Sequence, residues 1–513
     1  VVGAAGRVLF SSLPVEGNLA DPETSGKGRP KGRLQSYDFG KDKVENVADG
    51  ISGFDVSMDG KTLAIQVRSK LRVVSSSFSE EGSGGDDIGR ESGWVDLGRI
   101  RLEVNPGAEW AQMAREAWRL QRDQFWSEDM SGVDWEDVYR RYAPLVERVG
   151  SRGEFSDLLW EMQGELGTSH AYEMGGDYRP TPTYHQGFLG ADLEHSRQSK
   201  SWQIVRIPQG DSWDPKSTSP LIAPGLDIRE GDRVLAVNGT IVDRSMSPAR
   251  ALTDQAGRPV TITLKRGRRK ERKIVVKVLR SERGLRYRDW VNQNRATVHD
   301  ATDGAIGYIH IPDMGAFGYS EFHRHFSTEV DRDGLIVDVR FNGGGNVSEL
   351  LIQKLLRRRI GYDLRRHGKN SMPYPGDSPR GPMVALTNEW AGSDGDIFSH
   401  AFKLYGLGPL IGTRTWGGVV GIWPRHSLVD GTVTTQPEFS HWFTDVGWGL
   451  ENYGTEPDIE VVITPQDYRA GRDPQLERGI AEVLDIVEAR GPQDPEPSER
   501  PDKSAPRLPV LER

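Results

Sequence analysis

Serine, histidine and carboxylate side chains are the usual parts of nucleophilic acyl chemistry, and this chain of 513 residues offers candidates for each. Ser393 stands in "GPMVALTNEWAGSDGDIFSHAFKLYG" (381–406), where an apolar strand runs out at Leu386, a short polar loop follows and a helix begins. The first amides of a helix lack intrahelical acceptors and carry positive partial charge, so a nucleophile is well placed there. The Asp394 amide, next in the chain, can donate to a tetrahedral oxyanion as at other strand-turn-helix nucleophile sites. A second donor is needed. "VDVRFNGGGN" (337–346) puts three glycines directly after a buried strand, and without Cβ atoms such backbone can approach a substrate closely. Gly343 and Gly344 are the candidate donors. A phosphate loop is disfavoured because no Gly-Lys-Ser/Thr follows the run.

A serine hydroxyl at neutral pH needs a base, most often a histidine oriented by a third group. His170, in "ELGTSHAYE" (165–173), lies 223 positions before Ser393, but such groups assemble in space and their chain order varies between folds. Gly167 reads as a helix C-cap glycine, which puts Ser169 and His170 on the loop leaving a helix. Taken alone, an adjacent Ser-His pair more commonly has a capping or turn role. Glu451, in "GWGLENYGTEPDIEV" (447–461), is the candidate orienting carboxylate, with Asn452 and Gly454 marking a tight turn before a final strand.

Elements of several kinds must bring these groups together. Residues 1–100 alternate in short β-runs, with Asp59-Gly60 as a hairpin turn, and read as the C-terminal part of a β-propeller. A lone blade leaves its faces unburied, so upstream blades are implied. Residues 101–182 change to a helical period and carry the Ser-His pair. Met113, Ala117 and Trp118 lie on one apolar stripe, Trp135, Val138 and Tyr142 on a second, Phe155, Leu159 and Met162 on a third. Residues 183–282 return to strands, 283–490 alternate strand and helix around Ser393, and 491–513 form a charged, proline-rich tail expected to be disordered. Unbroken apolar strands at Leu335–Val339 and Met383–Leu386 suit a sheet covered on both faces. The fold class is therefore multidomain α+β with a partial β-propeller and a helical segment; family resemblance, on residues quoted below, implies a PDZ-like domain for the third segment and an α/β crotonase-like core for the fourth.

The bulk composition narrows the chemistry. The net charge of −9 disfavours a dedicated nucleic-acid binder, and the absence of cysteine excludes disulfides, thiolate metal sites and cysteine nucleophiles. No run of about 18 apolar residues exists, so the chain reads as soluble. Its start lacks an initiator Met and the order of a signal peptide, which reads as a fragment.

Two resemblances follow from these residues. "LIAPGLDIREGDRVLAVNGTIV" (221–242) resembles the helix, turn and strand of PDZ domains, and "GFLG" (187–190) stands where their carboxylate-binding loop would be. Through "GTSHAYE", "DVRFNGGGN", "NEWAGSDGDIF", "GTRTWGGVVGI" and "ENYGTEPDIEV", nearly the whole chain resembles the tricorn proteases, within the carboxyl-terminal-processing serine peptidases. That resemblance implies a tetrad: Ser393 attacks, His170 acts as base and then acid, and Ser169 bridges His170 to Glu451. A hydroxyl in that place can accept from the imidazole while donating to a carboxylate. It further implies a cytoplasmic homohexamer degrading short peptides released by the proteasome, downstream aminopeptidases as partners, and no cofactor or metal. Most of the two propellers of that family is absent here.

Other features have plainer readings. His323 and His325 in "FHRHF" face differently on a helix and do not make a metal site. The basic run "LKRGRRKERK" (264–273) reads as a solvated hairpin tip rather than a nucleic-acid contact. Asp363 would favour basic residues before the scissile bond if it faces substrate, or pair with its arginine neighbours. The rival functions are a non-catalytic peptide-binding propeller/PDZ scaffold and a crotonase-like acyl enzyme on a coenzyme A thioester.

Overall fold

The computed structural model describes residues 2–4, 6–12, 32–79, 87–367, 372–491 and 502–505. Residues 80–86 of the glycine-rich stretch at 79–93, and most of the tail expected to be disordered, fall outside them. Two compact units divide the chain: Val1–Asp123 with Asp129–Glu165, and Gln124–Glu128 with Leu166–Arg513. The helices expected at 101–182 thus belong to the first unit, while Ser169 and His170 belong to the second.

In the first unit, Val2–Ala4, Arg7–Ser12, Gly32–Asp38 and Lys43–Ile51 form a four-stranded antiparallel sheet, and Gly53–Val56, Thr62–Val67 and Lys70–Ser75 a three-stranded one. Leu9, Leu34, Val47, Ile51, Leu63 and Ile65 make their common core. The Asp59 carboxylate closes the predicted hairpin turn by accepting the Ser57 hydroxyl (2.6 Å) and the Lys61 amide (3.1 Å). Helices Pro106–Gln124, Trp135–Val146 and Arg152–Gly164 follow, burying Met113, Ala117 and Trp118, then Trp135 and Val138, then Phe155, Leu159 and Met162. Trp118 and Trp135 exchange indole N–H donation to each other's main-chain carbonyls, at 2.8 and 2.9 Å. The third helix ends earlier than Gly167 suggests. Glu165 closes its last turn by donating to the carbonyls of Met162 and Gln163, and Gly167 (φ +61°) bends the chain further on.

The second unit opens with an antiparallel sheet in the order Arg272–Lys277, Pro259–Lys265, Arg233–Val237, Ser201–Arg206, Asp192–Ser196, with Thr240–Ile241 beside Arg233–Val237. Leu189, Ile204, Val234, Val260, Ile262 and Val276 fill its core. The basic run is partly consumed here: Arg266 and Arg272 both bind the buried Asp232, at 2.6 and 3.2 Å.

A five-stranded parallel sheet then runs in sequential order through Ile306–His310, Gly334–Asp338, Met383–Thr387, Leu410–Gly412 and Ile459–Glu460. The three leading strands are buried throughout, and their period of two splits them between faces. Ile309, Val337 and Ala385 pack with Phe322, Leu351 and Phe398, whereas Tyr308, Ile336, Val384 and Leu386 pack with Val291, Leu476 and Val483. Helices Ala316–Glu329, Ser348–Leu355 and Asp394–Leu404 therefore cover one face, and Arg283–Ala301 and Pro474–Arg490 the other. Both faces being apolar explains why these strands carry no polar alternation. Loops leaving the carboxyl ends of adjacent strands in such a sheet are natural places for a ligand site.

Candidate active site

The strand Met383–Thr387 delivers the chain to the carboxyl end of the parallel sheet. Asn388 turns it there, accepting the amides of Phe341 (3.0 Å) and Trp390 (3.2 Å) on its side-chain oxygen. The Gly392 amide then reaches the Asn342 carbonyl (3.0 Å), tying this turn to the loop after the neighbouring strand. Ser393 follows as N-cap of Asp394–Leu404 at φ 57° and ψ −121°, and its hydroxyl makes no capping hydrogen bond. A non-glycine residue in such a region costs about 1–3 kcal/mol and persists only where the surroundings hold it. The Asp394 carboxylate turns away and caps the helix Ser348–Leu355 from outside, accepting the Ser348 amide (3.0 Å) and hydroxyl (2.5 Å).

His170 meets Ser393 from the other side. Its Nε2 stands 3.2 Å from Ser393 Oγ, and its Nδ1 stands 2.7 Å from Ser169 Oγ. The Ser169 hydroxyl donates to Glu451 Oε2 (3.2 Å), and the Ser169 amide donates to Oε1 (2.7 Å). With Nδ1 protonated, every hydrogen bond in this row has a donor and an acceptor, and Nε2 is free to accept from the serine. His170 is itself in the left-handed region (φ 63°). Its carbonyl accepts the Thr435 hydroxyl, and its ring lies 5.4 Å from those of both Tyr172 and Trp416. Burial holds the imidazole below the usual histidine range, while the negative Glu451 acts in the opposite sense. Burial likewise pushes the Tyr172 hydroxyl up.

Glu451 is gripped more tightly than its sequence context implied. Thr168 Oγ1 donates to Oε1 at 2.8 Å, and the Val419 and Val420 amides donate to Oε2 at 2.7 and 3.2 Å. With the two donors from Ser169, five converge on one carboxylate. Asn452 (φ 61°) and Gly454 (φ 90°) form the tight turn that presents it.

The amides of the two glycines that the sequence offers as oxyanion donors already have acceptors. The Gly343 amide donates to the Pro312 carbonyl (3.0 Å), and the Gly344 amide to Asn342 Oδ1 (2.9 Å). Both are therefore engaged within the protein. The Met314 amide donates to the Gly344 carbonyl and the Asn346 amide to the Met314 carbonyl, each at 2.8 Å. Successive residues of an extended segment direct their N–H groups to opposite edges, so the Gly345 amide faces away from Met314. It has no acceptor among the described residues, and neither has the Asp394 amide. The run lies directly on the nucleophile: a Cβ at Gly344 would stand 2.6 Å from Ser393 Cβ.

Two further candidates lie outside this cluster. Asp363 is exposed on the short strand Gly361–Asp363 and makes no hydrogen bond to the groups around Ser393. His323 bonds the Tyr319 carbonyl (2.9 Å), and His325 sits between Arg295 (2.6 Å) and Arg288 (3.3 Å), among cations rather than carboxylates. No cluster of three metal-ligating side chains occurs among the described residues. Sequence reasoning missed Thr168, Thr435, Trp416 and the Val419 and Val420 amides. Four of these five lie in quoted motifs, "GTSHAYE" and "GTRTWGGVVGI", but nothing local to those motifs pointed to Glu451 or His170 as the partner.

A serine and a histidine backed by a hydroxyl and a carboxylate, at the carboxyl end of a parallel sheet, define the class of serine hydrolases. Residues 305–461 match Peptidase family S41, 187–281 the tricorn protease PDZ domain and 106–164 the tricorn protease C1 domain. The chain is 44% identical over 509 residues to tricorn protease homolog 1 of Streptomyces coelicolor, covering 98% of this chain and 46% of that protein. It is 41% identical over 483 residues to the tricorn protease of Thermoplasma volcanium, covering 94% and 45%. A crystal structure of the tricorn protease superposes with a TM-score of 0.85 at 40% identity, over 94% of this chain and 46% of that one. The chain belongs to the tricorn protease family, within peptidase family S41. It spans about half the length of these relatives. Among the described residues no helix is long and apolar enough to cross a membrane.

Proposed function

We propose that this chain is a serine endopeptidase acting through an acyl-enzyme, with Ser393 as nucleophile, His170 as base and then acid, and Ser169 linking His170 to Glu451. The observation that carries this reading is the continuous row from Ser393 Oγ through His170 and Ser169 to Glu451, with contacts of 3.2, 2.7 and 3.2 Å. Ser393 Oγ attacks the scissile carbonyl as its proton passes to His170 Nε2. The carbonyl π-pair moves onto oxygen, and the amides of Asp394 and Gly345 receive the oxyanion. Collapse breaks the C–N bond, and His170 returns the proton to the leaving amine. Water then repeats the sequence on the ester, releasing the acid and restoring Ser393. Ser169 and Glu451 hold Nδ1–H and stabilise the imidazolium formed in each half.

In this reading the substrates are short unfolded peptides, including products of the proteasome, and the working form is a cytoplasmic homohexamer that passes its products to aminopeptidases. Asp363 selects basic residues before the cut. The antiparallel sheets of residues 1–100 are the end of a β-propeller whose other blades precede this stretch, and 101–182, 183–282, 283–490 and 491–513 are the helical, PDZ-like, catalytic and tail segments. Family membership supports the peptidase chemistry; these finer assignments rest on the resemblance of the motifs.

Incubation with a fluorophosphonate probe, followed by peptide mapping, tests the assignment. Modification of Ser393 with loss of fluorogenic peptide hydrolysis is the expected result. Modification at another serine overturns the nucleophile, and no modification at all favours the peptide-binding scaffold.

A further inference from the structure

Ser393 occupies an N-cap position without doing an N-cap's work. A serine there ordinarily accepts the amide of the third helical residue, while an acidic residue at that third position accepts the N-cap amide in return. Here the serine half is missing, since the hydroxyl makes no capping bond. Asp396, the third residue of the helix, would supply the other half, and its carboxylate stands close enough to the Ser393 amide to be stabilised by it.

The same carboxylate also reaches a second segment. Asp396 is fully buried, and its Oδ1 accepts the Gly417 amide at 2.8 Å, with the Thr415 hydroxyl nearby. The main-chain oxygen of Asp396 accepts the Thr455 hydroxyl (3.1 Å), and Thr455 and Thr415 are joined by two more bonds, of 2.7 and 3.1 Å. One residue thus pins 415–417 and 455 to the first turn of the nucleophile's helix. What continues from 415–417 is the part of the site that touches the relay. Trp416 lies against His170, the Gly417 carbonyl accepts the Asn452 amide (2.7 Å) next to Glu451, and the Val419 and Val420 amides grip Glu451 itself. Gly417 leaves no slack, because a Cβ there would stand 2.7 Å from the Gly454 nitrogen.

We propose that Asp396 is a positioning residue for the peptidase reaction: by clipping the 415–420 strap onto the first turn of the nucleophile's helix, it keeps His170 and Glu451 in register with the Ser393 hydroxyl. Its hydrogen bonds outside its own helix run to Gly417 of the strap and to Thr455, so its effect is exerted through those groups. The inference rests on the serine-peptidase reading above.

The site keeps this carboxylate at a cost. Asp396 Oδ2 is buried with no hydrogen-bond partner among the described residues. Burial, with a smaller contribution from the charge of Glu451, pushes the carboxyl up to about 6 against the stabilising effect of the Thr415 hydroxyl and the Gly417 and Ser393 amides. Of the other groups on its helix, the Asp394 carboxylate is turned to Ser348 and the His400 ring to Asp445. The strap adjoining it adds only Thr415, Trp416 and Gly417. A carboxyl raised in the folded state favours folding at low pH, and that contribution is lost as pH rises through about 6. Removing the charge therefore stabilises the fold at neutral pH, whereas the proposed role makes the same change harmful to turnover.

Asp396→Ala and Asp396→Asn in the full chain separate these effects. For Asp396→Ala the expected result is a fall in kcat and in fluorophosphonate labelling rate of about 100-fold, with KM within about threefold of the parent, as for a misplaced rather than a missing catalytic group. Asp396→Asn keeps one acceptor, so it is expected to lose about tenfold, to melt at or above the parent temperature at pH 7.5, and to show a one-proton acid limb where the parent's is steeper. Folded variants that label and turn over within about twofold of the parent overturn the proposal. So does a loss that follows the unfolded fraction alone, or an Asp396→Asn protein that is insoluble, since each assigns the residue a purely structural role. If the parent itself is not labelled at Ser393, the peptidase reading fails; if the parent is labelled and the variants match it, only this inference fails.

Discussion

Two glycine-bearing loops in the second unit look alike in sequence and differ in what their amides do. In the PDZ-like domain, "GFLG" has three of its four amides committed within its own chain: those of Gly187 and Phe188 donate to the carbonyls of Leu252 and Leu279, each at 3.0 Å, and that of Gly190 donates to the Glu282 carboxylate at 2.8 Å. In the parallel-sheet core, "NGGGN" commits the amides of Gly343 and Gly344 in the same way but leaves that of Gly345 without an acceptor beside Ser393. A carboxylate from inside the molecule sits on the first loop, and an oxyanion from substrate is expected on the second. Glycine makes the close approach possible in both places; the neighbouring backbone determines whether a donor is left over.

The strongest way to break the comparison is to remove the nucleophile that the glycine run lies against. Ser393→Ala should lower kcat for a fluorogenic peptide by about four orders of magnitude or more and abolish fluorophosphonate labelling; residual turnover near the parent level would show that the open amide serves another group. Next comes the far end of the relay. Glu451→Gln puts an amide N–H₂ among five donors, and kcat should drop about 10²–10⁴-fold. The same variant removes the charge that opposes burial at His170. In the parent, kcat/KM should hold to below the usual histidine range, because a depressed imidazole stays neutral and able to accept a proton at lower pH. In Glu451→Gln the acid limb should move lower still, which a pH-rate profile would read directly.

Closing the open loop sharpens the contrast at smaller amplitude. A Cβ at Gly345 would stand 2.1 Å from the Met314 carbonyl oxygen, and φ there is +151°. Gly345→Ala should shift that amide and lower kcat about 10²–10³-fold, the usual worth of one oxyanion donor, with the circular dichroism spectrum retained. The smallest effect is expected from opening the filled loop. Glu282→Ala in a Ser393→Ala background frees the Gly190 amide, so a labelled peptide with a free carboxyl terminus should bind a few-fold more tightly than its amidated form by fluorescence anisotropy. If the parent loop already makes that distinction, Glu282 does not fill it.

The parts of this molecule that could be read from one dimension are those whose cause is local. Apolar runs of period two and stripes of helical period announced the strands and helices of both units. Strand-loop-helix order around Ser393 marked a nucleophile's position, and the Ser169–His170 pair and Glu451 stood out once the motifs were taken together. The end of the third helix was misjudged because Glu165 completes the last turn before Gly167 is reached. That the Gly343 and Gly344 amides are engaged was hidden for a different reason: whether a glycine amide is free depends on Pro312, Asn342 and Met314, which no spacing rule connects to it.

Residue types and their periods, then, were enough to determine which elements form and which side chains have the acidity, basicity or hydroxyl that acyl chemistry requires. Only the tertiary structure decided that Glu451 is held by donors from Thr168, Ser169, Val419 and Val420, that Asp396 is sealed under Ser393, and that one amide in three stays open. Hydrogen bonds are made by proximity in space, and here the partners come from residues 168, 169, 419 and 420 on either side of a sheet whose strands intervene between them in the chain.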